Sequence, residues 1–276
     1  MSWSCGAVRL DDVRGFVFDV DGTLVHRSGE RVHVVDGALE ALERVQASGR
    51  PFAIFTNGSH LPPEGFARGL RDAGLPIEDG QMLTPLRSAL HYLARRHPGA
   101  LVRLFATAAV EEYMVAGGVR VAAAEQAEAA DVVFVAHRQE VSLDELERAA
   151  RAVRAGARLL TGSYVSAYAG ADGPIISRGA MMAAAIAKAS GARPMVVGKP
   201  SKAAVAVIAE RLGVPTAEIA VIGDDLAMDI GLGHLGGSRT ILVRSGISGK
   251  IDLDRIPKRQ RPDAVIDTIA ELLPLL

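Results

Sequence analysis

Residues Phe16-Val17-Phe18-Asp19-Val20-Asp21-Gly22-Thr23-Leu24 decide how the rest of the chain is read. The run Gly15–Val20 is apolar on successive positions apart from Asp19. An unbroken apolar run of this length suits a strand buried on both faces, as in parallel sheets. The run ends in two aspartates two residues apart. In an open α/β sheet, ligands bind at the carboxyl ends of the strands. Two carboxylates there repel each other unless a proton or a cation sits between them. A turn accounts for Asp21-Gly22, because aspartate favours turns and glycine supplies positive φ. It does not account for Asp19, set between Phe18 and Val20. The stretch therefore suits a hard-cation site beside a carboxylate nucleophile.

Outward from this stretch, short apolar runs recur: Phe52–Phe55, Val102–Phe105, Val132–Val135, Leu159–Leu160, Met195–Val197, Ala220–Ile222 and Thr240–Val243. Between them lie segments with helical patterning, such as Asp36–Ser48, Ser142–Ala155 and Ser201–Leu212. In the last, Val205, Ile208 and Leu212 recur at helical spacing, Ser201 can cap the start and Gly213 can end it. Strand–helix alternation along the whole chain predicts an α/β fold with a mostly parallel sheet. The alanine-dense stretches Ala122–Ala130 and Ala180–Ala189 read as helix-forming filler.

Three further runs end in chemistry-bearing residues. Ala53-Ile54-Phe55 leads into Thr56-Asn57-Gly58-Ser59, where a hydroxyl, an amide and free backbone N–H groups can bind phosphate oxygens; an Asn-Gly turn explains the same residues. Val196-Val197 leads into Gly198-Lys199-Pro200-Ser201, with a lysine between a strand and a capped helix. It is not a Walker A loop, because position 193 is Arg. Ala220-Val221-Ile222 leads into Gly223-Asp224-Asp225, with Asp229 one helical turn beyond Asp225. These are hard oxygen ligands suited to Mg²⁺; helix capping by Asp224 or Asp225 is compatible with that role.

Several alternatives fall away. Gly231-Leu232-Gly233-His234-Leu235-Gly236 fits a dinucleotide fingerprint, but Asp224–Ile230 separates it from the strand that it should follow directly. It reads as a helix end and the loop into the next strand. The seven histidines show no metal-ligand spacing, and no G-x-S-x-G elbow is present. The single cysteine, Cys5, rules out an internal disulfide and thiolate clusters, and points to a reducing compartment. Lysine plus arginine number 31 against 32 acidic residues, so the net charge of −1 gives no reason to expect nucleic acid as a partner. No apolar run approaches the roughly 18 residues needed to span a bilayer, and no signal peptide is visible over Met1–Asp12. The expectation is a cytoplasmic protein without membrane contact. At 276 residues, 49% hydrophobic and 23% charged, the chain is long and apolar enough for one large or two ordinary domains.

The ordered set DxDGT, TNGS, GKP and GDDxxxD resembles the four motifs of the haloacid dehalogenase superfamily, in that family's chain order. The long insertion between the second and third motifs resembles its type IIA subfamily, which includes p-nitrophenyl, phosphoglycolate, pyridoxal, nucleotide and sugar phosphatases. The resemblance implies a Rossmann-like parallel-sheet core over 1–83 and 196–276, with a large inserted α/β cap domain over 84–195. It also implies a Mg²⁺-dependent phosphatase acting on a small phosphorylated metabolite through an aspartyl-phosphate. Asp19 would be the nucleophile, and Asp21 would protonate the leaving oxygen and then activate water. Mg²⁺ would be held by Asp19, the Asp21 carbonyl and Asp224, with Asp225 and Asp229 supporting it from behind or through water. Thr56 and the backbone N–H groups of Asn57 and Gly58 would hold phosphoryl oxygens, and Lys199 would offset charge. Asp21 separates the phosphatase reading from the dehalogenase one, because family dehalogenases lack it. Relatives often associate through the cap, which suggests a homodimer.

The cap departs from the subfamily pattern. Thr161-Gly162-Ser163-Tyr164 stands where relatives often show Thr-Asn-x-Asp, and Ile176-Ser177-Arg178-Gly179 where they often show Pro-Gly-x-Gly. His137, Arg138, Ser163, Tyr164 and Arg178 are the candidates for reaching the leaving group, and either arginine would suit a second anionic group on the substrate. Two other readings of the same scaffold are phosphoryl transfer to a second substrate and a non-catalytic sensor of a phosphometabolite. The pairing of Asp19 with Asp21 argues against the sensor, since binding alone needs neither.

Overall fold

The computed structural model describes residues 10–28, 31–168 and 175–276. Cys5 lies outside the described residues. The chain opens with β1 (Gly15–Phe18), the antiparallel hairpin β2 (Val25–Ser28) and β3 (Arg31–Val34), α1 (Ala38–Ala47), β4 (Phe52–Phe55), α2 (Pro63–Asp72) and β5 (Met82–Leu83). There follow α3 (Pro85–Arg96), β6 (Leu101–Phe105), α4 (Ala108–Ala116), β7 (Arg120–Val121), β8 (Val132–Val135), α5 (Leu143–Arg154) and β9 (Arg158–Thr161). Next come an antiparallel ribbon, β10 (Ala167–Tyr168) with β11 (Ile175–Ile176), then α6 (Arg178–Ser190) and β12 (Met195–Val196). The chain closes with α7 (Lys202–Leu212), β13 (Ile219–Gly223), α8 (Gly231–Gly236), β14 (Arg239–Val243) and β15 (Ala264–Ile266).

The strands form two parallel sheets. One has six strands in the order β15-β14-β13-β1-β4-β5, the other five in the order β12-β9-β8-β6-β7. The second is drawn entirely from the chain between β5 and α7, so it is an α/β insertion in the first. In the six-stranded sheet the chain moves outward from β1 through β4 to β5, and later from β13 on the other side of β1 through β14 to β15. The direction of winding therefore reverses beside β1, and such a switch point opens a crevice at the strands' carboxyl ends.

Both faces of each sheet are covered, which explains why the strands read as unbroken apolar runs. Phe16, Phe18 and Ile54 pack with Leu42 and Val45 of α1 and with Ile269 and Leu272. Val17, Ala53, Phe55 and Val221 pack on the opposite face with Ile208 and Leu212 of α7. In the five-stranded sheet, Val102, Leu104 and Phe134 meet α3 and α4, while Val133, Val135 and Phe105 meet α5 and α6. The helix starts are set by side-chain caps. Ser201 Oγ accepts the Ala204 N–H at 3.0 Å. Ser142 and Glu145 form a reciprocal capping box on α5. Gly213, in the left-handed region at φ 66°, ends α7 as its sequence predicts. The Gly231–Gly236 segment is helical throughout as α8, and the helix ends at Gly237 rather than within the motif. The stretch Ala122–Ala130 carries a short 3-10 turn, Ala124–Ala129, in place of a helix.

Candidate active site

Asp19, Thr56 and Asp224 directly follow β1, β4 and β13, the three adjacent strands around the switch point. Lys199 enters from the segment joining β12 to α7. Its Nζ donates to Asp19 Oδ1 at 2.5 Å and to Asp229 Oδ1 at 2.6 Å, with all three side chains nearly removed from solvent. Asp19 Oδ2 meets the Thr23 hydroxyl at 3.4 Å, the limit of a hydrogen bond, so it is the less constrained of the two carboxylate oxygens. Asp224 is fixed by Oδ2, which accepts the Ile247 N–H at 2.6 Å. Gly22 permits this packing: its φ is 86°, and a Cβ there would lie 2.5 Å from Asp224 Oδ2.

After β13 the chain turns through a wide, π-type turn, Leu226–Ile230, a local geometry frequent at functional sites. Asp225 caps it, its Oδ1 accepting the Ala227 and Met228 N–H groups at 2.7 and 3.1 Å. That turn brings Asp229 back under the strand end. Asp229 Oδ2 accepts the Asp225 N–H at 3.1 Å, so both of its oxygens are engaged, one of them by Lys199.

The charges do not balance. Asp19, Asp224 and Asp229 each offer an oxygen within 4.8 Å of the others, and Lys199 is the ammonium among them. Burial pushes Asp19 well above the ordinary carboxylate range, with Asp229 and Asp224 adding to it against the pull of Lys199. Burial raises Asp229 as well, opposed by Lys199. Burial and Asp229 push Asp224 up to about 7, although the Ile247 N–H and Lys199 pull the other way. For Lys199, burial works against the ammonium, but Asp19 and Asp229 outweigh it and hold the group protonated. An excess of buried carboxylate with only oxygen donors fits a hard divalent cation such as Mg²⁺. Asp229 stands within reach of that cluster itself. Asp225 acts as the cap of the turn.

Thr56 is buried, and its Oγ1 accepts the Gly58 N–H at 3.1 Å. The Asn57 side chain is turned to the Lys199 main chain. The Asp21 carboxylate is half-exposed and accepts from Arg27 Nε at 2.6 Å. Of the five candidates from the insertion, His137 has its ring 5.7 Å from that of His60, centroid to centroid. Burial, His137 and Arg27 lower the pKa of His60, while Asp21 opposes them. Burial and Arg178 lower that of His137. Arg138 is directed to Glu145 at 2.8 Å, an acid it shares with Arg103. Arg178 donates to the Gln139 carbonyl at 3.0 Å. Ser163 Oγ is buried with no hydrogen-bond partner among the described residues, and Tyr164 is exposed. Arg27 and His60 were not anticipated from the sequence. A basic residue six positions after Asp21, on the far side of a Gly-Thr turn, is the only local signal for the first.

These features define a Rossmann-like α/β scaffold with a carboxylate–lysine–carboxylate centre at its switch point and a second α/β unit inserted above it. Residues 16–120 match a family described as haloacid dehalogenase-like hydrolase, and residues 196–272 match a family described as HAD-hydrolase-like. The ribonucleotide monophosphatase NagD of Escherichia coli is 27% identical over 260 residues, 94% of this chain and 98% of that protein. The acid sugar phosphatase of Staphylococcus aureus is 24% identical over 265 residues, 95% and 99% of the two chains. The crystal structure of the 4-nitrophenylphosphatase of Thermotoga maritima superposes with a TM-score of 0.86 at 27% identity, over 97% of this chain and 99% of that one. The chain belongs to the haloacid dehalogenase superfamily, and its relatives and inserted unit fit the type IIA subfamily.

Proposed function

We propose that the chain is a Mg²⁺-dependent phosphatase that hydrolyses a small phosphorylated metabolite through an aspartyl-phosphate. The observation that carries this is the Asp19–Lys199 contact at the end of β1, with Asp224 and Asp229 completing a carboxylate cluster that needs a cation. The metal would be held by Asp19, Asp224 and the Asp21 carbonyl, with Asp225 and Asp229 in support. It would lower the repulsion between the phosphoryl group and Asp19. Asp19 attacks phosphorus, and the bond to the leaving oxygen breaks as Asp21 delivers a proton to it. Asp21, now a carboxylate, takes a proton from water as that water attacks phosphorus and frees Asp19. Thr56, the Asn57 N–H, the Gly58 N–H once it leaves Thr56 Oγ1, and Lys199 hold the phosphoryl oxygens.

We read 1–83 and 196–276 as the core domain and 84–195 as the cap. The two sheets support this division, although β12 (Met195–Val196) carries the second sheet one residue past the boundary. His137, Arg138, Ser163, Tyr164 and Arg178 are the cap's contacts for the leaving group. Either Arg138 or Arg178 suits a second anionic group on it. Relatives named for nucleotides and sugars support a small-metabolite substrate. We place the enzyme in the cytoplasm, in line with its single cysteine. Among the described residues, no helix is long and apolar enough to cross a membrane. A homodimer through the cap is supported by exposed Tyr164, Tyr168, Ile175 and Ile176, and light scattering at two concentrations tests it.

The test of function is phosphate release from a panel of phosphoglycolate, glycerol phosphate, pyridoxal phosphate, sugar phosphates and nucleotides, with Mg²⁺ or EDTA. Release in water alone that requires Mg²⁺ and is lost in a folded Asp19→Asn variant is expected. Activity surviving in Asp19→Asn would remove Asp19 from its role. A phosphotransferase would instead release little phosphate until an acceptor is added.

A further inference from the structure

The geometry points to the Asn57 side chain as a positioning group that acts through Lys199 rather than on the substrate. Its side-chain amide grips the main chain of that one residue at both ends. Oδ1 accepts the Lys199 N–H at 2.7 Å, and Nδ2 donates to the Lys199 carbonyl at 2.8 Å. Only an amide offers a donor and an acceptor in this fixed arrangement; aspartate would lose the donor and serine cannot span both groups. Nδ2 also lies 3.5 Å from Met228 Sδ, in the turn that carries Asp229.

The segment held this way is the return from the inserted sheet to the core. Val197 N–H donates to the Thr161 carbonyl at 2.9 Å and Gly198 N–H to the Gly162 carbonyl at 3.0 Å, so it is paired with the inserted unit up to the residue before Lys199. At Lys199 the pairing passes to Asn57, at the end of β4. Gly198 is required there: a Cβ would lie 2.6 Å from Asn57 Oδ1 and would overlap the Gly162 carbonyl oxygen. A lysine side chain has four rotatable bonds and much rotamer freedom to lose. Fixing its main chain at two points sets where the ammonium meets Asp19 and Asp229.

The inference rests on the phosphatase reading, in which Lys199 faces the phosphoryl group. Its test is a double-mutant cycle of Asn57→Ala and Lys199→Met, read on p-nitrophenyl phosphate turnover with Mg²⁺. A parallel cycle is read on orthovanadate affinity by calorimetry, which needs no turnover. Circular dichroism and melting temperature establish that each variant is folded. Asn57→Ala is expected to lower kcat by on the order of 10²-fold, as misplacement by about 1 Å can. KM should change by less than about threefold, because the loss is not one of uniform binding. In the Lys199→Met background the same substitution should have almost no further effect on turnover or vanadate affinity, since the group it positions is gone. Multiplicative losses in the double variant would show the Asn57 side chain touching the phosphoryl group itself and overturn the inference. So would a wild-type kcat in Asn57→Ala. A wild-type protein that neither turns over nor binds vanadate would instead overturn the phosphatase reading.

Discussion

At the residue scale, the site is a problem of charge. Three buried carboxylates share one ammonium, and all three are held above their ordinary range first of all by burial. The sign of the consequence follows for Asp224. The unfolded chain releases this proton near 3.8, while the folded protein keeps it to about 7. Between those values the folded state binds more protons, so this group's contribution to stability falls as pH rises. The metal-free protein should therefore lose melting temperature between pH 5 and 7.5, and Mg²⁺ should restore more at pH 7.5 than at pH 5, where protons compete with it. An equal Mg²⁺-induced shift at both pH values would contradict the cluster as the metal site. Asp21 offers a second check. If Asp21 is the proposed proton donor to the leaving oxygen, Asp21→Asn should lower kcat/KM for an alkyl phosphate by about 10²–10⁴-fold. The loss should be smaller for p-nitrophenyl phosphate, whose leaving group needs no proton; equal losses would argue against Asp21 as the acid. Asp19 and Asp224 were legible because each ends an apolar run. The paired grip of Asn57 was not, because its partner is 142 residues away. The approach of His60 to His137 was equally hidden, since it depends on how the inserted unit sits over the core.

At the element scale, the helices were legible through their caps. Ser201 and Gly213 bound α7, and Ser142 with Glu145 starts α5, because capping is local chemistry between residues three apart. Ser201 is buried, and its Oγ both accepts the Ala204 N–H and donates to the Val197 carbonyl at 2.9 Å. Ser201→Ala should cost about 1–2 kcal/mol, the upper part of the usual range for a lost N-cap, measured by denaturant unfolding. The strands β2 and β3 were missed. Val25-His26-Arg27-Ser28 has no clear alternation, and pairing with Arg31–Val34 forms the hairpin. That hairpin matters because it delivers Arg27 to Asp21. Gly22→Ala, at the root of the hairpin, should impair both Mg²⁺ binding and turnover, since its positive φ and its approach to Asp224 exclude a side chain. Wild-type Mg²⁺ affinity in that variant would contradict the packing described for Asp224.

At the scale of the whole molecule, one parallel sheet interrupted by another explains how four distant segments of sequence meet. The reversal of winding beside β1 places the ends of β13, β1 and β4 side by side, and the return from the inserted sheet drops Lys199 between them. Alternation of strands and helices made the α/β class legible without reference to any relative. The membership of short strands such as β5, β7 and β15 was not legible, because two or three residues carry no period and only their neighbours recruit them. In the proposed reaction, phosphate passes through Asp19. This step is tested most directly by rapid acid quench during turnover of ³²P-labelled substrate with Mg²⁺. Label is expected on the peptide containing Asp19, released by hydroxylamine and absent with EDTA or in Asp19→Asn. Steady turnover with no label on the protein, or label that persists in Asp19→Asn, would contradict passage through Asp19.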